Sequence, residues 1–160
     1  MTTLVYPGTF DPITLGHTNL IERVAGIFDQ VVIAIAASER KKPLFNLDER
    51  LTLARDALAH LPNVRATGFR GLLVDVARQE GASFILRGVR NSTDFEYELP
   101  LAQMNSNLAP GIDTLFLTPP PQLTCVSSSL IREIASMGGD VAPYVPANVA
   151  TALAGKFPRP

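Results

Sequence analysis

Short runs of β-branched and aromatic residues recur along the chain, separated by segments with helical periodicity. "TLVY" (3–6), "VVIAIAA" (31–37), "ASFILRG" (82–88) and "DTLFLTP" (113–119) read as strands, with a weaker fifth at "VRATGF" (64–69). Between them, Leu20, Ile21, Val24 and Ile27 keep the three-and-four spacing of one apolar helix face, as do Leu47, Leu51, Leu53, Ala54 and Leu58. Asn46 stands three residues before Glu49, which approximates a capping box at the start of that second helix.

A third helix is predicted over 72–80, ending at Gly81, and a fourth within 92–108. Pro100 removes a backbone donor and crowds the preceding turn, so a kink or a restart is expected there. A fifth helix follows the serines at 127–129 and stops at Gly138-Gly139; a short sixth occupies about 146–155. Strands alternating with helices predict an α/β fold: one Rossmann-like, doubly wound, five-stranded parallel sheet flanked by helices, forming a single domain over 1–160.

Composition narrows the partners. Fourteen Lys and Arg face fifteen Asp and Glu, a formal net charge of -1, so no broad field draws in nucleic acid or an anionic membrane. Any anion site must be local. The lone Cys125 cannot form an intrachain disulfide, which suits a reducing, cytoplasmic setting. No apolar run reaches the length of a membrane span, and no signal-peptide pattern is seen.

Four strand ends carry polar groups that suit phosphate. The first delivers Thr9, Phe10 and Asp11, and then "TLGH" (14–17) at a helix start, with Gly8 and Gly16 allowing close backbone approach. His17 there is either a ligand or an ordinary cap. The second strand runs into Arg40, Lys41 and Lys42, which taken alone read as a solvated loop. The fourth ends in "RGVR", where Arg87 and Arg90 are satisfied either by phosphate or by a carboxylate such as Asp94, Glu96 or Glu98. The fifth leads into Ser127, Ser128 and Ser129, one of which can serve as a plain helix cap. Together on one edge, these groups predict a polyphosphate site. No P-loop, dinucleotide fingerprint, zinc cluster or hydrolase elbow is present.

"TLGH" resembles the [HT]-x-G-H signature of the nucleotidyltransferase superfamily, and "VSSSLIR" (126–132) resembles its second, serine-rich signature. "YPGTFDPITLGH", "KKPLF", "LRGVRNSTDFEYE" and "SSSLIREIASMGGDV" together resemble the bacterial phosphopantetheine adenylyltransferase family over nearly the whole chain. The resemblance implies transfer of the adenylyl group of ATP to 4'-phosphopantetheine, giving dephospho-coenzyme A and pyrophosphate. It also implies Mg²⁺ as cofactor, a homohexamer and coenzyme A as feedback inhibitor.

Carried over by position, His17, Lys41 and Arg87 would be catalytic, and Thr9, Lys41, Leu73 and Arg87 would bind the acceptor. ATP would meet Thr9, Phe10, His17, Gly88, Val89, Arg90 and Glu98, and the stretch Leu123, Thr124, Cys125, Val126, Ser127, Ser128 and Ser129. No residue is assigned to a protein-held metal, because phosphates and water would carry the Mg²⁺. The sequence departs from the family pattern at Leu123, where an aromatic residue is common, at Pro100 and in the prolines at 119–121.

The attacking group would be a phosphate monoester, already largely deprotonated near neutral pH because its second pKa is about 6. No general base is then required, and in-line attack on the α-phosphate depends on positioning and charge stabilisation. The two signatures alone leave open a sister transferase acting on nicotinate mononucleotide, glycerol phosphate or choline phosphate. Thr14, where many of those relatives carry histidine, and the "DFEYE" block favour pantetheine. A non-catalytic nucleotide-binding module on the same fold is the other alternative, and it would bind ATP without releasing pyrophosphate.

Overall fold

The structure, a computed structural model, describes residues 1–37 and 42–159. In chain order its elements are β1 (Thr3–Gly8), α1 (Leu15–Ala25), β2 (Gln30–Ala36), α2 (Leu47–Ala57), β3 (Val64–Phe69) and α3 (Leu73–Gln79). They continue with β4 (Phe84–Gly88), α4 (Ser92–Leu108), β5 (Asp113–Leu117), α5 (Ser128–Ser136) and α6 (Ala147–Lys156). Single 3-10 turns occupy Pro121–Leu123 and Ala142–Tyr144.

The five strands form one parallel sheet in the order β3-β2-β1-β4-β5. The chain winds outwards from β1 to β3, then returns to place β4 on the other side of β1. The strand order therefore reverses between β1 and β4, where open parallel sheets leave a crevice beyond their C-terminal ends.

Both sheet faces are covered, so alternate strand residues enter different cores. Leu4, Tyr6, Val31, Ile33, Ile35 and Leu86 pack with Leu20, Ile21 and Val24 of α1, Leu53 and Ala54 of α2, Ile131 of α5, and Val149 and Leu153 of α6. Their neighbours Val5, Val32, Ala34 and Ile85 pack instead with Val74, Val76 and Ala77 of α3 and with Ala109 and Ile112. This two-sided burial explains the near-continuous apolar runs of the central strands.

The capping box at Asn46 forms as expected: its Oδ1 accepts from the Glu49 N–H, and the Glu49 carboxylate accepts from the Asn46 N–H. One expectation needs correction. Ile27 does not extend the apolar face of α1, because the helix ends at Ala25 and Ile27 is 73% exposed. Of the kink or restart expected at Pro100, the restart does not occur: the proline lies inside one helix spanning Ser92–Leu108. Only Glu98 of α4 is buried, so core packing places little demand on the backbone around the proline. Strand ends shift modestly: β4 begins at Phe84, and β5 stops at Leu117 before the prolines at 119–121.

Candidate active site

A cavity of about 270 Å³ opens at the switch point, lined by the ends of β1 and β4, the starts of α1 and α5, and the buried side of α4. Its floor includes Gly8 and Gly88. A Cβ on Gly8 would lie 2.9 Å from the Phe10 ring, and one on Gly88 would lie 2.9 Å from Leu20 Cδ1 and 3.5 Å from the Tyr6 hydroxyl. The backbone can reach the cavity there only because side chains are missing.

Ten of the residues picked out from the sequence line this cavity: Phe10, His17, Arg87, Gly88, Arg90, Glu98, Leu123, Val126, Ser127 and Ser128. Thr9 sits between two lining residues but is itself exposed, and its carbonyl is taken by Arg50. Val89 is buried with its N–H on the Leu117 carbonyl, while Thr124, Cys125 and Ser129 fall outside the lining. Leu73 opens α3 beyond β3, away from the cavity, and packs against the second core. Lys41 lies outside the described residues.

The polypeptide around His17 fixes its chemistry. Thr14 caps α1 and His17 occupies the third helical position, where the Thr14 N–H donates to His17 Nδ1 at 3.0 Å. A ring nitrogen that accepts a backbone N–H carries no proton of its own, so the neutral imidazole holds its proton on Nε2. Burial, with the nearby Arg90 charge adding to it, pulls the His17 pKa down to about 4. At neutral pH, His17 is therefore an uncharged donor at the edge of the cavity.

Phe10 packs edge-on against the His17 ring at a centroid distance of 4.8 Å and against Tyr6 at 5.3 Å. Its φ of 47° is in the left-handed region, which costs a bulky residue about 1–3 kcal/mol and persists only where neighbours hold it. Burial raises the Tyr6 hydroxyl pKa above its ordinary value, the nearby Arg87 charge working in the opposite direction.

The cavity's cations come paired. Arg87 donates through Nε and Nη2 to the two oxygens of the buried Glu98 carboxylate, at 2.7 and 2.6 Å. Arg90 donates through its backbone N–H and Nε to Asp94, at 3.0 and 3.1 Å. Burial works to raise the Asp94 pKa, but the Arg90 hydrogen bonds prevail and hold it below the usual carboxylate range. Of the three carboxylates anticipated as structural partners, Glu98 and Asp94 take these places, and the guanidiniums they orient still line the cavity.

The serines divide their work. Ser127 caps α5 by accepting the Leu130 N–H, Ser128 Oγ donates to the Pro12 carbonyl at 2.7 Å, and Ser129 is exposed. Their hydroxyls are thus largely engaged in building the site, while the first N–H groups of the nine-residue α5 remain suited to an anion. Leu20, Pro119, Leu123 and Val126 add an apolar wall suited to a planar base. Among the described residues, no group of three or more His, Cys, Asp or Glu could hold a metal ion.

The cytidylyltransferase-like family model matches residues 5–134. A phosphopantetheine adenylyltransferase from Methylococcus capsulatus is 56% identical over 155 residues, covering 97% of this chain and 96% of the relative. One from Thiobacillus denitrificans is 54% identical, covering 98% of each chain. One from Thioalkalivibrio sulfidiphilus is 58% identical, covering 93% and 94%. The chain belongs to the phosphopantetheine adenylyltransferase family. It is an enzyme of the nucleotidyltransferase type.

A crystal structure described as that of a candidate nicotinate-nucleotide adenylyltransferase from Vibrio parahaemolyticus superposes with a TM-score of 0.73 at 16% identity, covering 100% of this chain and 98% of that one. That likeness establishes the shared fold. Within the phosphopantetheine adenylyltransferase frame, Tyr6, Leu20 and Pro119 are lining residues to which sequence reasoning gave no site role. Tyr6 had a readable signal: it ends a β-strand run one residue before the proline-glycine turn.

The His17 shift gives stability a defined pH dependence. Between about pH 4 and 6.5, the unfolded chain binds a proton at this position that the folded chain does not. Stability therefore rises with pH across that window and falls on acidification through it. His17→Gln removes the titration while keeping a side chain that suits the third position of a capping box. Urea unfolding should show His17→Gln losing less stability than the wild type between pH 7 and pH 4.5; an equal or larger loss contradicts the assignment.

Proposed function

We propose that this protein transfers the adenylyl group of ATP to 4'-phosphopantetheine, releasing pyrophosphate and dephospho-coenzyme A. The observation that carries this reading is the 54–58% identity to phosphopantetheine adenylyltransferases over nearly the full chain. The site geometry supports it. The apolar wall of Leu20, Pro119, Leu123 and Val126 takes the adenine, and the α5 start takes the outer phosphates. The acceptor phosphate lies by Arg87. Its pantetheine arm runs across the ends of β1 and β2 towards Thr9 and Leu73, and Lys41 would add charge to the reacting phosphates. Leu123 offers packing without the aromatic face common in relatives.

In the reaction, an oxygen of the acceptor phosphate attacks the α-phosphorus of ATP. The bond from that phosphorus to the bridging oxygen breaks, and pyrophosphate leaves. With the nucleophile already deprotonated, no side chain need take a proton. The barrier lies in bringing two polyanions together while charge builds on the non-bridging oxygens. His17 Nε2–H donates to the α-phosphate, and because it is neutral it does so without first losing or gaining a proton. Arg87 and Arg90 supply fixed positive charge. Mg²⁺ fits this site as an ion brought in on the triphosphate, with no all-protein cage among the described residues, and it would supply further charge neutralisation there.

Coenzyme A carries both the adenylyl and the pantetheine parts of the product, so it would occupy the same cavity as a feedback inhibitor. Assembly into a homohexamer is supported by α4. Tyr97, Leu101, Met104 and Leu108 recur at the spacing of an interhelical seam and are 70%, 44%, 56% and 48% exposed. The free thiol of Cys125 and the absence, among the described residues, of any helix long and apolar enough to cross a membrane accord with a cytoplasmic enzyme.

Purified protein incubated with ATP, Mg²⁺ and 4'-phosphopantetheine should release pyrophosphate and add one adenylyl unit to the acceptor by mass. Turnover with nicotinate mononucleotide and none with 4'-phosphopantetheine would overturn the reading. His17→Ala should lower kcat by roughly 10²–10³-fold, the usual cost of one lost oxyanion donor. Arg87→Ala would also strand the buried Glu98 carboxylate. Arg87→Lys is therefore the cleaner variant; it should raise the acceptor KM by roughly tenfold or more while leaving the ATP KM nearly unchanged.

Tyr97→Glu with Met104→Glu should leave the subunit folded, since exposed substitutions typically change stability within about 0.5 kcal/mol. Light scattering should then report a smaller assembly than for the wild type. An unchanged assembly would remove α4 from the interface.

A further inference from the structure

We propose that Arg50, on α2, is a positioning residue for adenylyl transfer, acting with Asp11 to hold the Thr9–Asp11 turn in the conformation that sets His17. The proposal rests on the functional reading above.

Arg50 is 2% exposed. Its guanidinium donates to three backbone carbonyls from three separate stretches of chain: Nε to Phe45 at 3.0 Å, and Nη1 to Thr9 at 2.8 Å and to Ala36 at 2.9 Å. Asp11 is 3% exposed and completes the brace from the other side. Its two carboxylate oxygens accept the N–H groups of Leu44 and Phe45, each at 2.9 Å. The Phe45 peptide groups are therefore held in both directions, the N–H by Asp11 and the carbonyl by Arg50. The turn after β1, the end of β2 and the entrance to α2 are locked to one another.

The lock converges on Phe10. The carbonyl before it, of Thr9, accepts from Arg50, and the carbonyl of Asp11 after it accepts from Arg132 Nη1 at 2.6 Å. These two bonds flank the one non-glycine residue with positive φ among the described residues. The Phe10 ring in turn lies against the His17 ring. Releasing the Thr9 carbonyl lets Phe10 relax towards an ordinary backbone conformation, and the His17 ring loses the surface that orients it. Arg50 itself is absent from the cavity lining, so its effect is transmitted through the turn.

Arg50→Lys keeps the charge but cannot serve three carbonyls spread around a planar fork. Misplacement of about 1 Å at a reacting group can cost 10²-fold. The expected result is a fall in kcat on the order of 10²-fold, with the KM for ATP and for 4'-phosphopantetheine within about threefold of wild type. In NMR spectra, the His17 and Phe10 ring resonances should move while those of the exposed His60 stay in place. Asp11→Asn, whose amide can accept at only one of the two N–H groups, should repeat this pattern. The double variant should lose little more than the worse single one, because the two residues act as a unit.

If Arg50→Lys fails to fold, Asp11→Asn alone decides. An unchanged kcat per folded subunit, or kcat losses that simply multiply in the double variant, would overturn the proposal. Were the wild type inactive on 4'-phosphopantetheine, the functional reading would fail, but the ring resonances would still decide: unmoved His17 and Phe10 signals in Arg50→Lys overturn the lock.

Discussion

The hydrogen bond from the Thr14 backbone to His17 Nδ1 is the contact that fixes the state of the imidazole at the cavity edge. It begins as a solution to a local problem, since the first N–H groups of any helix lack partners within it. Using an imidazole for that purpose fixes the tautomer and directs the remaining ring proton outwards. Burial then keeps the ring neutral. A capping interaction, a tautomer and a neutral ring N–H at the cavity edge are one arrangement, and each part would fail without the others.

Around that donor, the site relies on cations ordered before any ligand arrives. Arg87 and Arg90 each face a carboxylate, so their forks are held in place instead of sampling many rotamers. The arrangement suits a reaction limited by electrostatics and orientation. It also keeps local positive charge compatible with a chain that is nearly neutral overall. Ser128 on the Pro12 carbonyl and Arg132 on the Asp11 carbonyl tie the start of α5 to the turn after β1, on the histidine side of the cavity.

Much of this was readable in the sequence because strand and helix periodicities alternate cleanly and turn residues mark strand ends. β3, the weakest of the five runs, has the limits predicted for it. Ile27 misled because the three-and-four spacing continues past the point where the helix stops. At Pro100 the sequence leaves kink and restart equally open, and α4 runs on through it because the helix contributes little to the core. Arg50 was overlooked for a related reason. It falls between Leu47 and Leu51 on the apolar stripe of α2, and a charged residue there is itself a signal of a buried polar role. Its partners are backbone carbonyls distant in sequence, which no side-chain motif records. The Arg87–Glu98 pair was legible as one alternative, but sequence alone could not say that the same arginine would both take a carboxylate and face the cavity.

If His17 is a neutral donor through Nε2, ¹⁵N NMR of the imidazole at pH 7, with and without bound ATP, should show a single neutral tautomer in both states, protonated at Nε2 and bare at Nδ1. A proton found on Nδ1, or a charged imidazolium at that pH, would contradict it.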